Sequence, residues 1–409
     1  MSEVQNWAGT AVPQPARIAV AILFFLNGVA LASWAARIPA IQSKLALSPG
    51  QLGIALLGVA AGALVAMNLS GYLAARFGSK FVTTIAALCL CITLPLLALA
   101  PTLPILIVAL VLFGGSNGAM DVAMNTQGVA VEKGYRRPIL NSFHAFYSFG
   151  ALTGAFVGGL VASRGISPWP HFLSIAILCA ILTLAASRFL LPAQADAHGK
   201  STAFARPTRA LLALGLIAFC VVLGEGAIAD WSAIYLNGTL RTGAGLAVAG
   251  YAAFSIVMAI GRGVGDQLTA RLGAKMMVRL GGLIAAAGLT LALLVPWVPL
   301  VLVGFGMVGA GFSVVFPITL SAAGRTTKQA SGTAIAAVAT CGYVGLLAGP
   351  PIIGFAADLV GLRIALSFIV ILSLLAALFA YAVGNDKHSD RDQPVEAIDS
   401  ATRSSELSV

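Results

Sequence analysis

The sequence contains two copies of one pattern, and this repeat limits the fold to an arrangement of two similar halves. The segment SGYLAARFGSK, which ends at Lys80, recurs 195 residues later as GDQLTARLGAK, which ends at Lys275. An offset of 197 residues places Trp34 on Trp231. Because a duplicated scaffold keeps what both halves need, the positions at which the halves differ are candidates for function.

The composition requires that most of the chain is shielded from water by lipid or by other helices. Hydrophobic residues make up 59% of the chain and charged residues only 9%, whereas a soluble domain usually carries about 25% charged residues. A membrane-spanning helix needs about 20 apolar residues. Segments of that kind occupy 17–37, 51–74, 81–100, 104–128, 139–162, 169–191, 209–236, 246–264, 276–296, 299–322, 331–356 and 363–384. We therefore predict an all-α membrane protein in which twelve transmembrane helices form two pseudo-symmetric six-helix bundles.

The polar segments divide the chain into two bundles, a linker and a tail. Residues 1–191 and 209–384 each contain six apolar segments and are predicted to form the N-terminal and C-terminal bundles. Residues 192–208 are polar, basic and bounded by proline, which is typical of a flexible cytoplasmic linker. Residues 385–409 are charged and rich in serine, which predicts a disordered cytoplasmic tail.

The net charge of +10 would suit a nucleic-acid-binding protein, but its distribution indicates a membrane protein instead. If both termini lie on one side, the loops of the other side contain only Arg37, Lys44, Arg164, Arg241 and Arg363. All other Lys and Arg residues except Arg262 fall on the side of the termini. Because basic loops stay in the cytoplasm, we predict a multi-pass protein of the cytoplasmic (inner) membrane with both termini cytoplasmic and no nucleic-acid partner.

The residues that enzymes and metal sites require are not clustered in this sequence. Of the four histidines, His198 and His388 lie in polar segments outside the apolar spans. The five cysteines all fall in apolar spans and lack the spacing of a metal site or a disulfide framework. A glycine-rich loop followed by Lys-Ser or Lys-Thr, which would bind nucleotide phosphates, is also absent from the sequence. We therefore predict no enzymatic activity, no catalytic residue, no metal and no organic cofactor.

The repeated loop segments resemble the loop signature of the major facilitator superfamily, and the resemblance extends over the whole chain. That family has two sets of six spans, a basic central linker and signature loops at equivalent places in both halves. The resemblance implies a gate that closes the cytoplasmic side when the transporter faces outward. The gate residues would be Arg76, Gly78, Lys80, Asp266, Arg271, Gly273 and Lys275. The acidic residue that usually precedes each arginine is replaced by alanine here, and loops that only fix the topology are the alternative.

A narrower resemblance links the fourth and fifth spans to the proton-coupled fucose and hexose symporter branch of that superfamily. Asp121 falls on the carboxylate that the branch has in its fourth span, and Asn125 and Asn141 fall on two of its asparagines. His144 stands where the branch has glutamine, and Tyr147 stands where it has asparagine. The branch's acidic residue in the first span falls on an alanine, so the resemblance does not extend to the identity of the sugar.

The position of Asp121 inside an apolar span makes it a functional candidate independently of any resemblance. A charge at the centre of a span costs about 2.5–3.5 kcal/mol on insertion scales, so intramembrane acids are rarely kept without a role. Asn117, Asp121 and Asn125 follow a spacing of four and therefore share one helix face. His144 enters the fifth span from the same side, and the two groups would form a pair suited to carrying a proton if their helices are neighbours. A structural hydrogen bond between the helices is the alternative.

The repeat offers a test of which polar residues the scaffold needs. Asp121 and His144 fall on Phe316 and Ala339 at an offset of 195, and Glu225 and Asp230 fall on Gly28 and Ser33 at an offset of 197. None of the four polar residues is therefore required by the shared scaffold. Glu225 lies near the middle of the seventh span and is predicted to be a second proton-coupling or substrate group, with a buried structural bond as the alternative.

The remaining candidates are residues that could contact a solute between the halves. Trp34 and Trp231 could form a stacking wall for a sugar, or could instead anchor the helices at the membrane interface. Arg262 in the eighth span is expected to extend its side chain to the cytoplasmic surface. The full predicted substrate set is Asn27, Trp34, Asn117, Asn125, Asn141, Tyr147, Asp230, Trp231, Phe312 and Phe316.

Together these features predict a secondary active transporter for a small polar solute such as a sugar or a sugar derivative. Symport with protons is expected through Asp121, Glu225 and His144, with the proton as coupling ion and the solute and the lipid bilayer as partners of a monomer. Efflux of a drug or metabolite by proton antiport is one alternative. A membrane nutrient sensor that has lost transport is another.

Overall fold

The computed structural model describes residues 14–135, 139–193, 209–326 and 331–384 of the chain. Within those ranges all regular structure is helical, and twelve helical segments are long and apolar enough to cross a membrane. The predicted all-α architecture with twelve spans is therefore confirmed. Most of the predicted linker (194–208) and the whole predicted tail (385–409) lie outside the described residues.

The helices follow one another through short connections, and several spans consist of two helical pieces. The α-helices are α1 (Gln14–Ala35), α2 (Ile38–Lys44), α3 (Pro49–Phe77), α4 (Ser79–Leu99), α5 (Leu103–Tyr135), α6 (Leu140–Ser163), α7 (Pro168–Ser187), α8 (Arg209–Ile234), α9 (Ala244–Ala247), α10 (Ala249–Leu272), α11 (Ala274–Leu294), α12 (Val298–Phe312), α13 (Val315–Thr326), α14 (Ser331–Val360) and α15 (Leu362–Leu378). A π-helical turn (Tyr235–Thr239) extends α8, and a 3₁₀ turn (Phe379–Val383) extends α15.

The repeated loop has the same backbone geometry in both halves. Gly78 separates α3 from α4 with φ 86° and ψ 146°, and Gly273 separates α10 from α11 with φ 82° and ψ 149°. A residue with a Cβ atom is strained at such a positive φ, so glycine is required wherever this sharp turn joins two helices. The sequence repeat therefore reflects a repeated turn.

Within each half, helix backbones approach closely where one of them carries glycine. A Cβ atom on Gly114 of α5 would overlap the carbonyl of Val59 on α3. The equivalent Gly309 of α12 lies in the same way against the carbonyl of Phe254 on α10. Helices in a bilayer associate through such close packing, because lipid tails are as apolar as the side chains that they would replace.

The two halves contact each other mainly at the end of the molecule that we call the closed face, where α3 begins and α14 ends. Gly354 of α14 packs directly on the backbone of Pro49 and Gly53 at the start of α3. Asp358 extends this contact, since its Oδ2 accepts hydrogen bonds from the Gly50 amide at 2.9 Å and from the Ser48 hydroxyl at 3.0 Å. A carboxylate of one half thereby satisfies free donors at a helix N-terminus of the other half.

A second, equivalent contact joins the halves at the closed face. Gly159 and Ser163 near the end of α6 pack against Gly245 of α9 and against Val248. At an offset of 195, Gly50 corresponds to Gly245 and Asp358 to Ser163. The two contacts share two glycine positions, Gly50 with Gly245 and Gly159 with Gly354, whereas Gly53 corresponds to Val248. They also differ in a polar group, which is a carboxylate only in the α3–α14 contact.

The halves diverge toward the opposite end, which we call the basic face because it carries Arg76, Lys80, Arg188, Arg271 and Lys275. Among the described residues, no atom outside the local helix backbone lies within 4 Å of a Cβ placed on Gly71 of α3 or on Gly263 of α10. Tyr72 of α3 and Ile260 of α10 are correspondingly exposed. The described parts of the two halves therefore leave open space beside Gly71 and Gly263 at the basic face.

Removal of the Asp358 carboxylate should favour separation of the halves at the closed face. Asp358→Ala leaves two donors of α3 without a partner, and loss of such a cap costs about 1 kcal/mol, which changes a two-state ratio about fivefold. Spin labels at Arg164 and Arg241, on opposite halves of this face, should show a larger fraction of long distances in double electron–electron resonance.

The equivalent substitution Ser163→Ala is the matched control, because it removes no hydrogen bond between the halves. Distance distributions that are the same for Asp358→Ala, Ser163→Ala and the parent chain would contradict the assignment of Asp358 as a contact that holds the closed face together. The labelled chains would carry serine at Cys89 and Cys341, which are exposed thiols.

Candidate functional site

A hydrogen bond between two asparagines joins α1 to α5 deep in the N-terminal half. Asn27 Nδ2 donates to Asn117 Oδ1 at 2.9 Å and also contacts the sulfur of Met120 at 3.5 Å. Asn27 is only 2% exposed. In this conformation Asn27, predicted to bind a solute, therefore joins two helices, while Asn117 remains half-buried.

Asp121 lies one turn further along α5 and takes part in no ion pair with any residue that the structure describes. Asn125 Nδ2 donates to the Asp121 carbonyl at 2.8 Å and to its carboxylate at 3.2 Å. Both side chains line an open recess along α5, together with Val122, Thr126 and Val129. Tyr147 of α6 and Tyr343 of α14 lie within electrostatic interaction distance of the carboxylate. Asp121 thus faces groups from both halves.

His144 does not form the predicted pair with Asp121 in this conformation. Its ring meets Phe24 edge-on, with the ring centroids 5.1 Å apart, and it lies within electrostatic interaction distance of Arg262. The expectation from sequence depended on the rotation of α6 about its own axis, which directs His144 toward α10. His144 therefore belongs with the C-terminal charges rather than with Asp121.

Glu225 of α8 forms an ion pair with Arg262 of α10, with Oε2 and Nη2 3.6 Å apart. The second carboxylate oxygen, Oε1, is buried and has no hydrogen-bond partner. Arg262 Nε also donates to the carbonyl of Ser313 at 3.4 Å. In this conformation Arg262 does not extend its guanidinium to the cytoplasmic surface as expected, because that group lies beside Glu225, which provides a counterion inside the span.

Tyr251 connects this charged cluster to the other half. Its hydroxyl bonds to Ser255, and it lies within electrostatic interaction distance of Asp230, Glu225 and Arg262. Its ring packs on three alanines of the N-terminal half, Ala32, Ala151 and Ala155. The sequence analysis did not select Tyr251, although its equivalent in the first half is a leucine, so the comparison of halves could have found it.

A cavity of about 630 Å³ lies between the halves, next to this cluster. Its wall combines apolar residues with hydroxyl groups, one imidazole and one guanidinium, and no carboxylate is among its lining residues. It is lined by His144, Ala145, Tyr147, Ser148, Phe149, Leu152, Ser255, Ile256, Ala259, Ile260, Arg262, Gly263, Gly265, Thr269, Ser313, Val314, Pro317 and Ile318. Such a volume suits a small organic solute.

The predicted aromatic contacts lie largely inside the halves rather than on this cavity. Trp34 is 3% exposed and packs against Phe113 and Phe172, and Trp231 is wholly buried. Phe312 is also wholly buried, and only Phe316 keeps partial exposure, beside Gly342. The preserved tryptophan pair is explained by packing, because each half needs the same large side chain in its own core.

The residues of the predicted gate lie at the open end of the molecule. Arg76 contacts Tyr72 and Phe77 of its own helix, and Lys80 donates to the carbonyl of Arg188. Arg271 and Lys275 are exposed beside Gly273. The side chains of Asp266 and Asn141 are not among those that the structure describes. The recorded contacts of Arg76 and Lys80 stay within the N-terminal half, and the gating role remains a prediction.

The Glu225–Arg262 pair should stabilise the protein only while both charges are present. Glu225→Gln leaves a cation inside a span without its counterion, and Arg262→Gln leaves the carboxylate in the same position. Because half of the Arg262 side chain is exposed, we expect a coupling energy of about 0.5–1 kcal/mol. Thermal unfolding of both single variants and the double variant gives this energy as a double-mutant cycle. Additive effects of the two substitutions would contradict the pair.

Known proteins resemble the chain over nearly its whole length. A model described as the Major Facilitator Superfamily matches residues 20–345 and 267–407. A Yersinia pestis protein described as an uncharacterised MFS-type transporter is 36% identical over 369 residues, covering 90% of this chain and 95% of that protein. The membrane protein MosC of Rhizobium meliloti is 35% identical over 366 residues, covering 88% of each chain.

Solved transporter structures share the fold at low sequence identity. The nucleoside transporter NupG, as the D323A mutant, superposes with a TM-score of 0.75 at 15% identity, over 90% of this chain and 98% of that one. A bacterial homologue of the human lysosomal transporter Spinster, in an inward-facing and occupied conformation, gives 0.73 at 14% identity, over 91% and 97%.

Proposed function

The chain belongs to the major facilitator superfamily, and from this premise we propose that it carries a small polar solute across the cytoplasmic membrane together with protons. The observation that carries the proposal is the set of ionisable side chains between the halves. Asp121 faces the opening without an ion-pair partner among the described residues, and Glu225 has one unpartnered carboxylate oxygen. Ionisable groups kept inside spans typically mark proton or substrate pathways.

The proposed movement is a rocking of the two halves about the solute. The contacts between the halves at the closed face include close approaches at glycines and the Asp358 hydrogen bonds, and they can separate without unfolding a helix. The basic face is assigned to the cytoplasm because basic loops are retained there. With this assignment, the conformation described here opens to the cytoplasm.

A proton can drive this cycle only if it binds the two conformations with different affinity. Asp121 meets that condition in principle, because its surroundings come from both halves: Tyr147 and Asn125 belong to the first, and Tyr343 to the second. Rocking separates Asp121 from Tyr343 or brings them together. The stability of the charged carboxylate then differs between the two conformations.

Efflux of an amphipathic compound by proton antiport is a second candidate function. The observation that favours it is the apolar part of the cavity wall, where Phe149 and Ile260 are 63% and 61% exposed. The narrower resemblance to the fucose and hexose branch rests on motifs of the fourth and fifth spans, which include Asp121 and Asn141, so the sugar class remains part of the proposal.

Neutralisation of Asp121 should abolish proton movement with the solute. Lightly buffered, de-energised cells that contain the protein would receive hexoses, deoxyhexoses, sugar acids and amino acids in turn, while the external pH is recorded. We expect a transient alkalinisation with one class of solute and none with Asp121→Asn, which cannot exchange a proton. Asp121→Glu keeps the ionisable group and is the matched control.

Alkalinisation that persists in Asp121→Asn would leave symport in place but would transfer the proton site to Glu225. The absence of a signal with every class, at verified expression, would contradict proton-coupled uptake of these solutes and favour efflux or sensing. The measurement therefore separates the two candidate functions.

A further inference from the structure

We propose that the cavity between α6, α10 and α13 binds its solute through an oxyanion, and that Arg262 is the residue that receives this group. A carboxylate and a phosphate ester share the required chemistry. The inference rests on the proposed function, because it names the class of solute that the transporter carries.

The charges on the cavity wall favour an anion. Arg262 carries a permanent positive charge, and the imidazole of His144 lies beside it. The other polar lining residues are hydroxyl-bearing, and no carboxylate is among the lining residues. Glu225 contacts Arg262 but is not among the residues that line the cavity. A solute in this cavity therefore meets hydrogen-bond donors and a cation.

Arg262 also has more N–H donors than its two contacts use. A guanidinium carries five N–H donors in a planar fork. The recorded contacts of Arg262 are a 3.4 Å bond from Nε to the Ser313 carbonyl and the approach of Nη2 to Glu225 at 3.6 Å, which is longer than a hydrogen bond. Half of the side chain is exposed to the open space between the halves. This leaves room for a bidentate bond to a carboxylate or phosphate.

The ion pair with Glu225 makes the binding of an anion depend on a proton. Glu225 and the solute oxyanion compete for the same guanidinium, and a proton on the Glu225 carboxylate removes that competitor. The charged and titratable groups around the pair are Tyr251 on α10, Asp230 on α8, and His144 and Tyr147 on α6. A proton and a monovalent anion that enter together leave the net charge of the cavity unchanged.

The rest of the wall indicates what the anion is attached to. Ser148, Ser255 and Thr269 offer hydroxyls, and Phe149 and Ile260 offer an apolar surface. A cavity of about 630 Å³ holds a hydroxylated carbon skeleton of sugar size with space left for water. A sugar acid or a sugar phosphate matches this combination.

The test is binding of anionic and uncharged sugars to the purified full-length protein in phosphatidylcholine nanodiscs. The probes are gluconate, glucuronate and glucose 6-phosphate, compared with glucose and glucosamine, and the readout is the shift of the thermal unfolding midpoint with probe concentration. We expect at least one of the anions to stabilise the protein and neither glucose nor glucosamine to do so. Equal stabilisation by glucose, or no stabilisation by any of the three anions, would overturn the inference.

Three variants test the role of Arg262. Arg262→Gln alone could be unstable, so Glu225→Gln with Arg262→Gln, which leaves no unpaired charge, is measured beside it. We expect binding of the effective anion to weaken about ten- to a hundredfold in the double variant, as for loss of a charge-assisted bidentate bond. Glu225→Gln alone should bind the anion more tightly, a result that a purely structural ion pair would not give. Unchanged affinity for the anion in the double variant overturns the assignment of Arg262 as the anion-binding residue. The control is Arg363→Gln, which removes an arginine at the closed face.

Two further comparisons separate the sources of the anion and the two proposals. Nanodiscs with phosphatidylglycerol should leave gluconate binding unchanged, whereas competition from this lipid would identify a headgroup as the occupant and overturn the solute assignment. Anion binding through Arg262 without alkalinisation in cells would sustain this inference while removing proton symport. Alkalinisation with an uncharged sugar, if it is unaffected in the double variant, would sustain proton symport and remove the inference about Arg262.

Discussion

Direct contact between helix backbones is the interaction on which the rest of this structure depends. In a bilayer the hydrophobic effect does not drive one apolar helix onto another, so association relies on close packing and on hydrogen bonds between helices. Glycine permits that packing inside each half, as at Gly114 and Gly309, and between the halves, as at Gly50 and Gly354. A larger residue at these positions would push the backbones apart. The sequence repeat therefore keeps small residues at the positions where helix backbones contact each other in both halves.

The halves are alike in packing and different in charge. Asp121, Glu225 and Arg262 are each replaced by an uncharged residue at the equivalent position of the other half. Tyr251 is replaced there by a leucine, which has no hydroxyl group. None of them is needed to build a six-helix bundle, yet the structure brings all four to the region between the halves. The scaffold is symmetric where helices pack, and the chemistry lies where the symmetry is broken.

The fold could be predicted from the sequence, because a bilayer requires long apolar helices and a repeat requires two similar halves. The intramembrane acids were recognisable for the same reason, since a charge inside a span is costly enough to need a role. The pairing of the charges was not predictable, because it depends on how far each helix rotates and extends. Arg262 was expected to reach the surface, whereas it lies beside Glu225. Trp231 was a candidate for the solute or for the membrane interface, whereas the core of its own half buries it.

The two glycine contacts of the closed face differ in their hydrogen bonds, and this difference has a directional consequence. The α3–α14 contact includes the Asp358 hydrogen bonds, whereas Ser163 provides no carboxylate in the α6–α9 contact. If the halves rock as proposed, the side that lacks the Asp358 hydrogen bonds is expected to open first, and the α3–α14 side is expected to serve as the hinge. The entrance would then form first between α6 and α9. A solute would meet that side of the entrance before the α3–α14 side.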